Sequence, residues 1–296
     1  METLIPDIYR RPMLEVVQAL LRKHDLHARK SWGQNFLIRD AVYDAIVSAC
    51  DLSPTDSAIE IGAGLGTLTA HLLHTGARVV ALEYEQGMLQ VLQTELADQP
   101  QLLLRQEDAL QTDYAALIQT LPGRVTVVGN LPYYLSTPLL FRLMEVRTHL
   151  RHIVVMVQKE VADRLCALPD SEHYGALSAQ IQLFADVRRV CRVGATSFLP
   201  QPKVESAVVR LVPFAQTRVP VQDLACYQQV VRAAFSQRRK TLRNALSTAF
   251  ADQTDAALLA AGIDPIRRAE TLSVAEFARL SDAFAVQSNY SGGRKI

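Results

Sequence analysis

The sequence lacks any long apolar run. No stretch approaches the roughly 18 apolar residues that a membrane span needs, and residues 1–25 contain no uninterrupted apolar segment of the kind found in secretion signals. Cysteine is also scarce, and the four that occur form no Cys-x-x-Cys pair and no zinc-type spacing with histidine: Cys50, Cys166, Cys191 and Cys226. We therefore expect a cytoplasmic protein with reduced thiols, no membrane contact and no bound metal.

The sequence also has little net charge and no internal repeat. Its 31 Lys and Arg against 30 Asp and Glu leave a charge of +1, and 49% hydrophobic with 21% charged residues is typical of an ordinary globular protein. The charge is unevenly distributed, because residues 213–296 carry 11 Lys and Arg against 7 Asp and Glu, whereas residues 41–212 are acidic overall. A basic C-terminal part indicates a polyanionic partner.

Short apolar runs alternate with amphipathic stretches from about residue 57. The runs AIEIG, ARVVALE, QLLLRQED, RVTVVGN and HIVVMVQKE have the composition of strands buried on both faces, and helical spacing separates them. This βαβ series predicts an α/β fold with a parallel, doubly wound sheet. RRVCRV and ESAVVRLVPF are expected to complete the sheet, with an antiparallel direction as one option.

Prolines mark a domain boundary near residue 215. Pro213 and Pro220 bracket a linker, and the segments beyond it have the pattern of short helices. We therefore predict one domain over residues 1–215, which includes an N-terminal helical segment over 1–40, and a small all-α domain over 216–296.

Three predicted strand ends carry groups suited to a nucleoside. The first strand leads into E-I-G-A-G-L-G-T, where Gly62 and the glycines after it allow the backbone to turn sharply beside a ligand. The next strand ends in Glu83, whose carboxylate can accept both hydroxyls of a ribose. Asp108 follows the third strand and can accept from an adenine amino group. Together they indicate a cofactor that contains adenosine.

The spacing leaves the choice of cofactor open. Nicotinamide dehydrogenases use G-x-G-x-x-G with a pyrophosphate at the helix N-terminus, but here the third glycine comes one residue early. S-adenosylmethionine has no phosphate to bind. A tight strand-to-helix turn without a ligand would explain the glycines alone, but not the two carboxylates as well.

A fourth strand end reads N-L-P-Y, a tetrapeptide that suits a flat base with an amino group. The Asn130 side-chain oxygen and the Leu131 carbonyl can accept from an exocyclic amine, and Pro132 makes the turn rigid. The ring of Tyr133 can stack on the base. Two acceptors favour a pyramidal nitrogen whose lone pair points at a methyl group, so catalysis is mostly positioning. A surface turn with amphipathic tyrosines is the alternative.

Further candidates lie in the C-terminal half. Phe198 precedes a proline-rich loop and can cover the other face of the base, and Lys203 in that loop is available for a phosphate. FSQRRKTLRNAL places four basic side chains close together for phosphate contacts, unless they form only a solvated helix face: Arg238, Arg239, Lys240 and Arg243.

Several segments in combination resemble the ribosomal RNA adenine dimethyltransferases, the KsgA/RsmA family. The resemblance runs from about residue 10 to residue 285 and implies a Rossmann-like S-adenosylmethionine-dependent methyltransferase sheet followed by a helical domain that binds RNA or the ribosome. The segments are KSWGQNFLIRD (30–40), EIGAGLGTLT (60–69), ALEYE (81–85), ED (107–108), NLPYYLSTP (130–138), FLPQPKVESAVVRL (198–211) and FSQRRKTLRNAL (235–246).

Enzymes of this family methylate N6 of two adjacent adenines in a hairpin near the 3′ end of small-subunit rRNA, with S-adenosylmethionine as the methyl donor. The resemblance implies an rRNA substrate in the immature 30S subunit and a monomeric protein. It places residues 130–133 at the target amine, with Phe198 opposite Tyr133. It places these residues around the cofactor: Asn35, Leu37, Gly62, Glu83, Asp108 and Asn130.

The sequence departs from the family pattern at a few positions. Tyr134 stands where Asn is usual, Gln201 where Pro is usual, and Trp32 replaces a different residue. Three rivals remain: a large-subunit rRNA adenine methyltransferase of the macrolide-resistance type, a non-catalytic RNA-binding assembly or transcription factor, and a dehydrogenase. The long C-terminal region with SQRRKTLRNAL favours the small-subunit enzyme over the first.

Overall fold

A computed structural model describes residues 5–28, 34–237 and 239–292 of the protein, with side chains as far as residue 286. The chain forms two compact units. The first contains Met1–Ala162 and Val187–Pro213, and the second contains Asp163–Asp186 and Phe214–Ile296. Within the described ranges, no helix is long and apolar enough to cross a membrane.

The strands in the described part of the chain are, in chain order, β1 Phe36–Leu37, β2 Ser57–Ile61, β3 Arg78–Glu83, β4 Leu102–Gln106, β5 Val125–Asn130, β6 Leu150–Gln158, β7 Ala185–Val193, β8 Phe198–Leu199 and β9 Ser206–Pro213. Seven of these strands form one sheet, in the order β4-β3-β2-β5-β6-β9-β7. Strands β2 to β6 are parallel where they pair, and β9 runs antiparallel to β6, so the predicted α/β Rossmann-like fold is confirmed.

The apolar runs form strands because both faces of the sheet are covered. Every residue of β2 is buried, as are all but the first residue of β3 and the last of β5, which explains why these runs show no polar alternation. The helices are α1 Met13–Lys23, α2 Asp40–Cys50, α3 Thr67–Leu73, α4 Gln86–Glu95, α5 Tyr114–Gln119, α6 Ser136–Glu145, α7 Lys159–Cys166, α8 Ala176–Gln182, α9 Leu224–Ala234, α10 Leu242–Phe250, α11 Gln253–Ala261 and α12 Val274–Gly292.

The strand order reverses between β2 and β5. Strand β2 pairs with β3 on one side and with β5 on the other, and the chain crosses to β5 only after β4 is complete. In an open α/β sheet, the connections diverge at such a point and leave a crevice at the carboxyl ends of the strands. The glycine loop after β2 and the tetrapeptide after β5 both start at this crevice.

A short antiparallel ladder joins β1 to β8. Phe36 pairs with Leu199 and Leu37 with Phe198, and the Ile38 N–H donates to the Ser197 carbonyl at 2.8 Å. The ladder connects segments that are about 160 residues apart in the chain. It therefore places Phe36 and Leu37 beside the start of the FLPQPKV loop.

The second unit is helical and includes residues that the sequence-based division kept with the first domain. Helix α8 contacts α9 and α12, and the buried Tyr227 hydroxyl donates to the Ala179 carbonyl at 3.0 Å. The Asp170 N–H donates to the Glu270 carbonyl at 2.7 Å. These contacts group Asp163–Asp186 with the C-terminal helices. The functional boundary near residue 215 stays a prediction.

Candidate active site

The first unit contains a cavity of about 470 Å³ at the carboxyl ends of the parallel strands. Segments that are distant in sequence meet there, because neighbouring parallel strands end at the same edge of the sheet. The lining includes every residue predicted for the cofactor and for the target amine; their individual roles stay predictions. They are Asn35, Leu37, Gly62, Glu83, Asp108, Asn130, Leu131, Pro132, Tyr133 and Phe198.

The glycine loop needs glycine for two different reasons. Gly62 has a φ of 73°, in the left-handed region, and a Cβ there would lie at an ordinary contact distance of 4.0 Å from the Asn130 carbonyl oxygen, so conformation alone selects glycine there. Gly66 has a φ of 76°, and a Cβ at that position would lie 2.9 Å from side-chain atoms of Leu92 and Leu96. The loop therefore turns sharply and packs closely onto α4.

The Glu83 carboxylate is fixed by the backbone around it. Its Oε2 accepts from the Gly64 N–H and its Oε1 from the Glu85 N–H, both at 2.8 Å, and the residue is only 8% exposed. Burial raises the pKa of Glu83, while the backbone donors oppose that shift. Each carboxylate oxygen has a second acceptor position, so the group can still accept from two ligand hydroxyls.

Glu60 is a lining residue that the sequence analysis missed. It lies inside β2, is 1% exposed, and accepts from the Thr69 hydroxyl at 2.6 Å. Burial raises the pKa of Glu60 to about 8, and the charge of Glu83 adds to the shift. An acidic residue within an otherwise apolar strand, two positions before the glycine loop, was the signal available in the sequence.

Asp108 follows β4 at the far side of the cavity. Its Oδ1 accepts from the Leu110 N–H at 2.8 Å, which fixes the side chain in a turn. Its Oδ2 has no hydrogen-bond partner within the described residues. That oxygen can accept from a ligand amino group.

Asn130 ends β5, and its amide has a defined orientation. Its Nδ2 donates to the Asn35 carbonyl at 3.3 Å, which leaves Oδ1 as the atom that can accept from a ligand. The next residue is held as well, because the Leu131 N–H donates to the Met156 carbonyl of β6 at 3.2 Å. The GQNFL segment thus contacts the tetrapeptide directly, through a backbone carbonyl that no sequence pattern indicated.

Two aromatic side chains line the part of the cavity next to this amide. The Tyr133 hydroxyl forms a hydrogen bond of 3.0 Å with the Ser206 hydroxyl. Phe198 is 4% exposed and also packs in the apolar core. Tyr134 is 68% exposed, so its ring lies at the mouth.

The predicted phosphate contacts lie on exposed segments. In the first unit, Lys203 is exposed in the loop between β8 and β9. In the second, Lys240 is exposed before α10, and Arg239 lines a shallow depression of about 290 Å³ together with acidic side chains. Arg243 forms an exposed ion pair with Asp255 at 2.5 Å. Arg238 lies outside the described residues, as does Trp32. RNA binding by these side chains stays a prediction.

Comparison with known proteins decides the family. The sequence profile described as "Ribosomal RNA adenine dimethylase" matches residues 25–286. The chain belongs to this family. Relatives named "Ribosomal RNA small subunit methyltransferase A" include one from Anaeromyxobacter sp. (strain K), 46% identical over 274 residues, with 89% of this chain and 95% of the relative covered. Another, from Geobacillus kaustophilus, is 42% identical over 275 residues and covers 90% of this chain and 94% of the relative.

Solved structures show the same fold. A dimethyladenosine transferase from Plasmodium falciparum has a TM-score of 0.71 at 24% identity and covers 87% of this chain and 98% of its own. The 23S rRNA methyltransferase ErmE has a TM-score of 0.65 at 22% identity, and the match covers 85% of this chain and 100% of ErmE. The family model and the named relatives confirm the predicted family and enzyme class: the protein is a methyltransferase and not a dehydrogenase.

Proposed function

We propose that this protein transfers methyl groups from S-adenosylmethionine to N6 of two adjacent adenines in a hairpin near the 3′ end of small-subunit rRNA, giving dimethyladenosines during 30S assembly. The observation that carries the chemistry is the orientation of the Asn130 amide at the end of β5. Its nitrogen donates to the Asn35 carbonyl, so its oxygen is the atom that can accept from a base in the cavity. Relatives of 42–46% identity named for the small subunit support this substrate over large-subunit rRNA.

The polar lining supports a cationic cofactor. None of the described residues that line the cavity is Lys, Arg or His, whereas five are acidic: Glu60, Glu83, Glu85, Glu107 and Asp108. A pyrophosphate would face the carboxylates of Glu83, Glu85 and Asp108 without a counterion, whereas a sulfonium and an ammonium group are attracted to them. Glu83 would bind the ribose and Asp108 the adenine amine. Asn35, Leu37 and Gly62 would form the wall around the cofactor. The bound cofactor would supply an electrophilic methyl group.

The residues of the tetrapeptide would prepare the nucleophile. The N6 lone pair of adenine is delocalised into the ring, so the nitrogen must become pyramidal before it can attack. In the first transfer, Asn130 Oδ1 and the Leu131 carbonyl would accept hydrogen bonds from its two N–H groups, and in the second transfer one of them would accept from the single N–H that is left, while Pro132 keeps the turn rigid. Tyr133 and Phe198 would hold the base between them after it leaves the RNA stack. The alkylated nitrogen is acidic and releases its proton to solvent, so no strong base is required.

The same proposal covers the partner. The basic side chains before and within α10 would contact RNA phosphates, and Lys203 would add a contact beside the cavity. We propose that the immature 30S subunit is the substrate, that the protein acts as a monomer, and that it works in the cytoplasm.

Single-turnover methyl transfer tests the proposal. Purified immature 30S subunits, 50S subunits and naked rRNA are incubated with the protein and tritiated S-adenosylmethionine. We expect label in 30S rRNA, and a rate for Asn130→Ala at saturating subunits that is at least tenfold lower. Full activity of Asn130→Ala would mean that the tetrapeptide is a structural turn, and transfer to 50S rRNA alone would favour the large-subunit reaction.

A further inference from the structure

The hydrogen bond between Tyr133 and Ser206 is not used by the mechanism given above. The two hydroxyl oxygens are 3.0 Å apart, and Ser206 is 1% exposed. Ser206 is the first residue of β9, so a rigid element of the sheet carries its hydroxyl. The ring at the other end of the bond is a cavity wall.

The sheet explains why this serine reaches the tetrapeptide. Strand β9 runs antiparallel to β6, and Ser206 pairs with Gln158 at the carboxyl end of that strand. The start of β9 therefore lies at the edge where β5 and β6 end, two strands from Asn130. The base of the turn is tied to β6 through Leu131, and the tip of the Tyr133 side chain is tied to β9.

A tyrosine in a turn has two side-chain torsions, and its backbone alone fixes neither. A hydrogen bond at the far end of the ring restricts both. It fixes the end of the ring axis, and because conjugation keeps the phenolic O–H and its lone pair near the ring plane, an immobile partner to one side of that axis also opposes rotation of the ring. Stacking on a base depends on the orientation of the ring plane as well as on contact area. The stacked ring also sets where the amine of the base lies relative to its two fixed acceptors. The orientation of the ring should therefore affect the rate of methyl transfer.

We propose that Ser206 is a positioning residue that fixes the ring of Tyr133 at the angle required by the target base. This inference rests on the proposed function, in which Tyr133 stacks on the adenine. The competing explanation is that the bond only satisfies two polar atoms next to the core. In that case its loss would lower stability, and the rate of the folded enzyme would not change.

A double-mutant cycle separates the two explanations. Tyr133→Phe keeps the ring and removes its hydroxyl, and Ser206→Ala removes the partner. We expect each to lower the single-turnover rate at saturating 30S subunits by about three- to tenfold, the size of one ordinary hydrogen bond. The double variant should be no slower than the slower single variant, and the dissociation constant for S-adenosylmethionine should stay the same. Additive losses, or a Ser206→Ala rate equal to wild type, would overturn the proposal.

Ser57→Ala is the matched control. Ser57 is also a buried serine at the first residue of a strand, and its hydroxyl donates to the Pro122 carbonyl at 2.6 Å. It lies at the amino end of β2, at the opposite edge of the sheet from the cavity. We expect this variant to lose stability and keep the wild-type single-turnover rate.

A second measurement does not depend on the substrate. Nuclear magnetic resonance of ring-labelled tyrosine reports ring flips, and the Tyr133 signal is identified by its absence in Tyr133→Phe. We expect faster flips in Ser206→Ala and unchanged flips in Ser57→Ala; unchanged flips in Ser206→Ala would overturn the proposal. If wild-type protein methylates no 30S adenine, the proposed function fails on its own, and the flip rates still decide whether Ser206 holds the ring.

Discussion

Replacing Glu83 with alanine tests the assignment of the ribose site. The carboxylate accepts from the Gly64 N–H at one oxygen and from the Glu85 N–H at the other, and the residue lines the cavity. The substitution therefore removes two sets of hydrogen bonds at once. The ligand loses its acceptor for two hydroxyls, and the glycine loop loses its tie to β3.

The size of the effect follows from these hydrogen bonds. A hydrogen bond to a charged group contributes about 1.5 to 3 kcal/mol, and two hydroxyls bind one carboxylate here. Water that fills the space of the removed side chain solvates the hydroxyls and recovers part of the loss. We expect the dissociation constant for S-adenosylmethionine to rise at least tenfold, which is about 1.4 kcal/mol.

Asp56→Ala is the control for the structural part of this loss. Asp56 is also a buried carboxylate that accepts two backbone N–H groups, from Ser53 at 2.9 Å and Arg124 at 3.3 Å. It lies before β2, at the edge of the sheet away from the cavity. Calorimetric titration of both variants, after thermal melts that confirm folding, should show weakened binding for Glu83→Ala only. Wild-type affinity in Glu83→Ala, or equal losses in both variants, would refute the ribose assignment.

Three further changes have defined outcomes. Burial raises the pKa of Glu60 to about 8, so binding of a cation should ionise this carboxyl group and release up to one proton at pH 7. The affinity for the cation should therefore rise between pH 6 and pH 8. Calorimetry in two buffers measures the proton release, which should be absent in Glu60→Gln. Reversing Arg239 and Lys240 to Glu should weaken 30S binding and flatten its salt dependence by about one logarithmic slope unit for each phosphate that is no longer neutralised, with cofactor affinity unchanged. Burial and nearby arginines lower the pKa of His152 to about 4, so its contribution to stability is complete above about pH 6.5 and is lost as the pH falls toward 4. Denaturant titrations of His152→Gln should therefore show a shallower acid loss, and an unchanged slope would contradict this.

The sequence was sufficient for features that depend on local pattern. Buried strands without polar alternation, the glycine loop and the proline turn after β5 were all predictable, because each requires particular residues within a short segment. Since parallel strands end at one edge, Glu83, Asp108 and Asn130 could be expected to meet. The cavity brings them together.

Features that depend on distant pairing were not predictable from local pattern. The role of the segment around Asn35 came only from the family resemblance, since its pairing of β1 with β8 has no local signal. No local pattern marks Ser206, and only the register of β9 on β6 places it beside Tyr133. The predicted boundary came from the linker between Pro213 and Pro220, and no local pattern shows that residues 163–186 pack with the C-terminal helices.

Mapping the modified nucleosides tests the central claim most directly. Immature 30S subunits from cells that lack this activity are incubated with the protein and S-adenosylmethionine, and the rRNA is analysed by mass spectrometry of fragments. The proposed function predicts N6,N6-dimethyladenosine at two adjacent positions in one hairpin near the 3′ end. Methylation of large-subunit rRNA instead, or cofactor binding with no modified adenine in the 30S subunit, would contradict it.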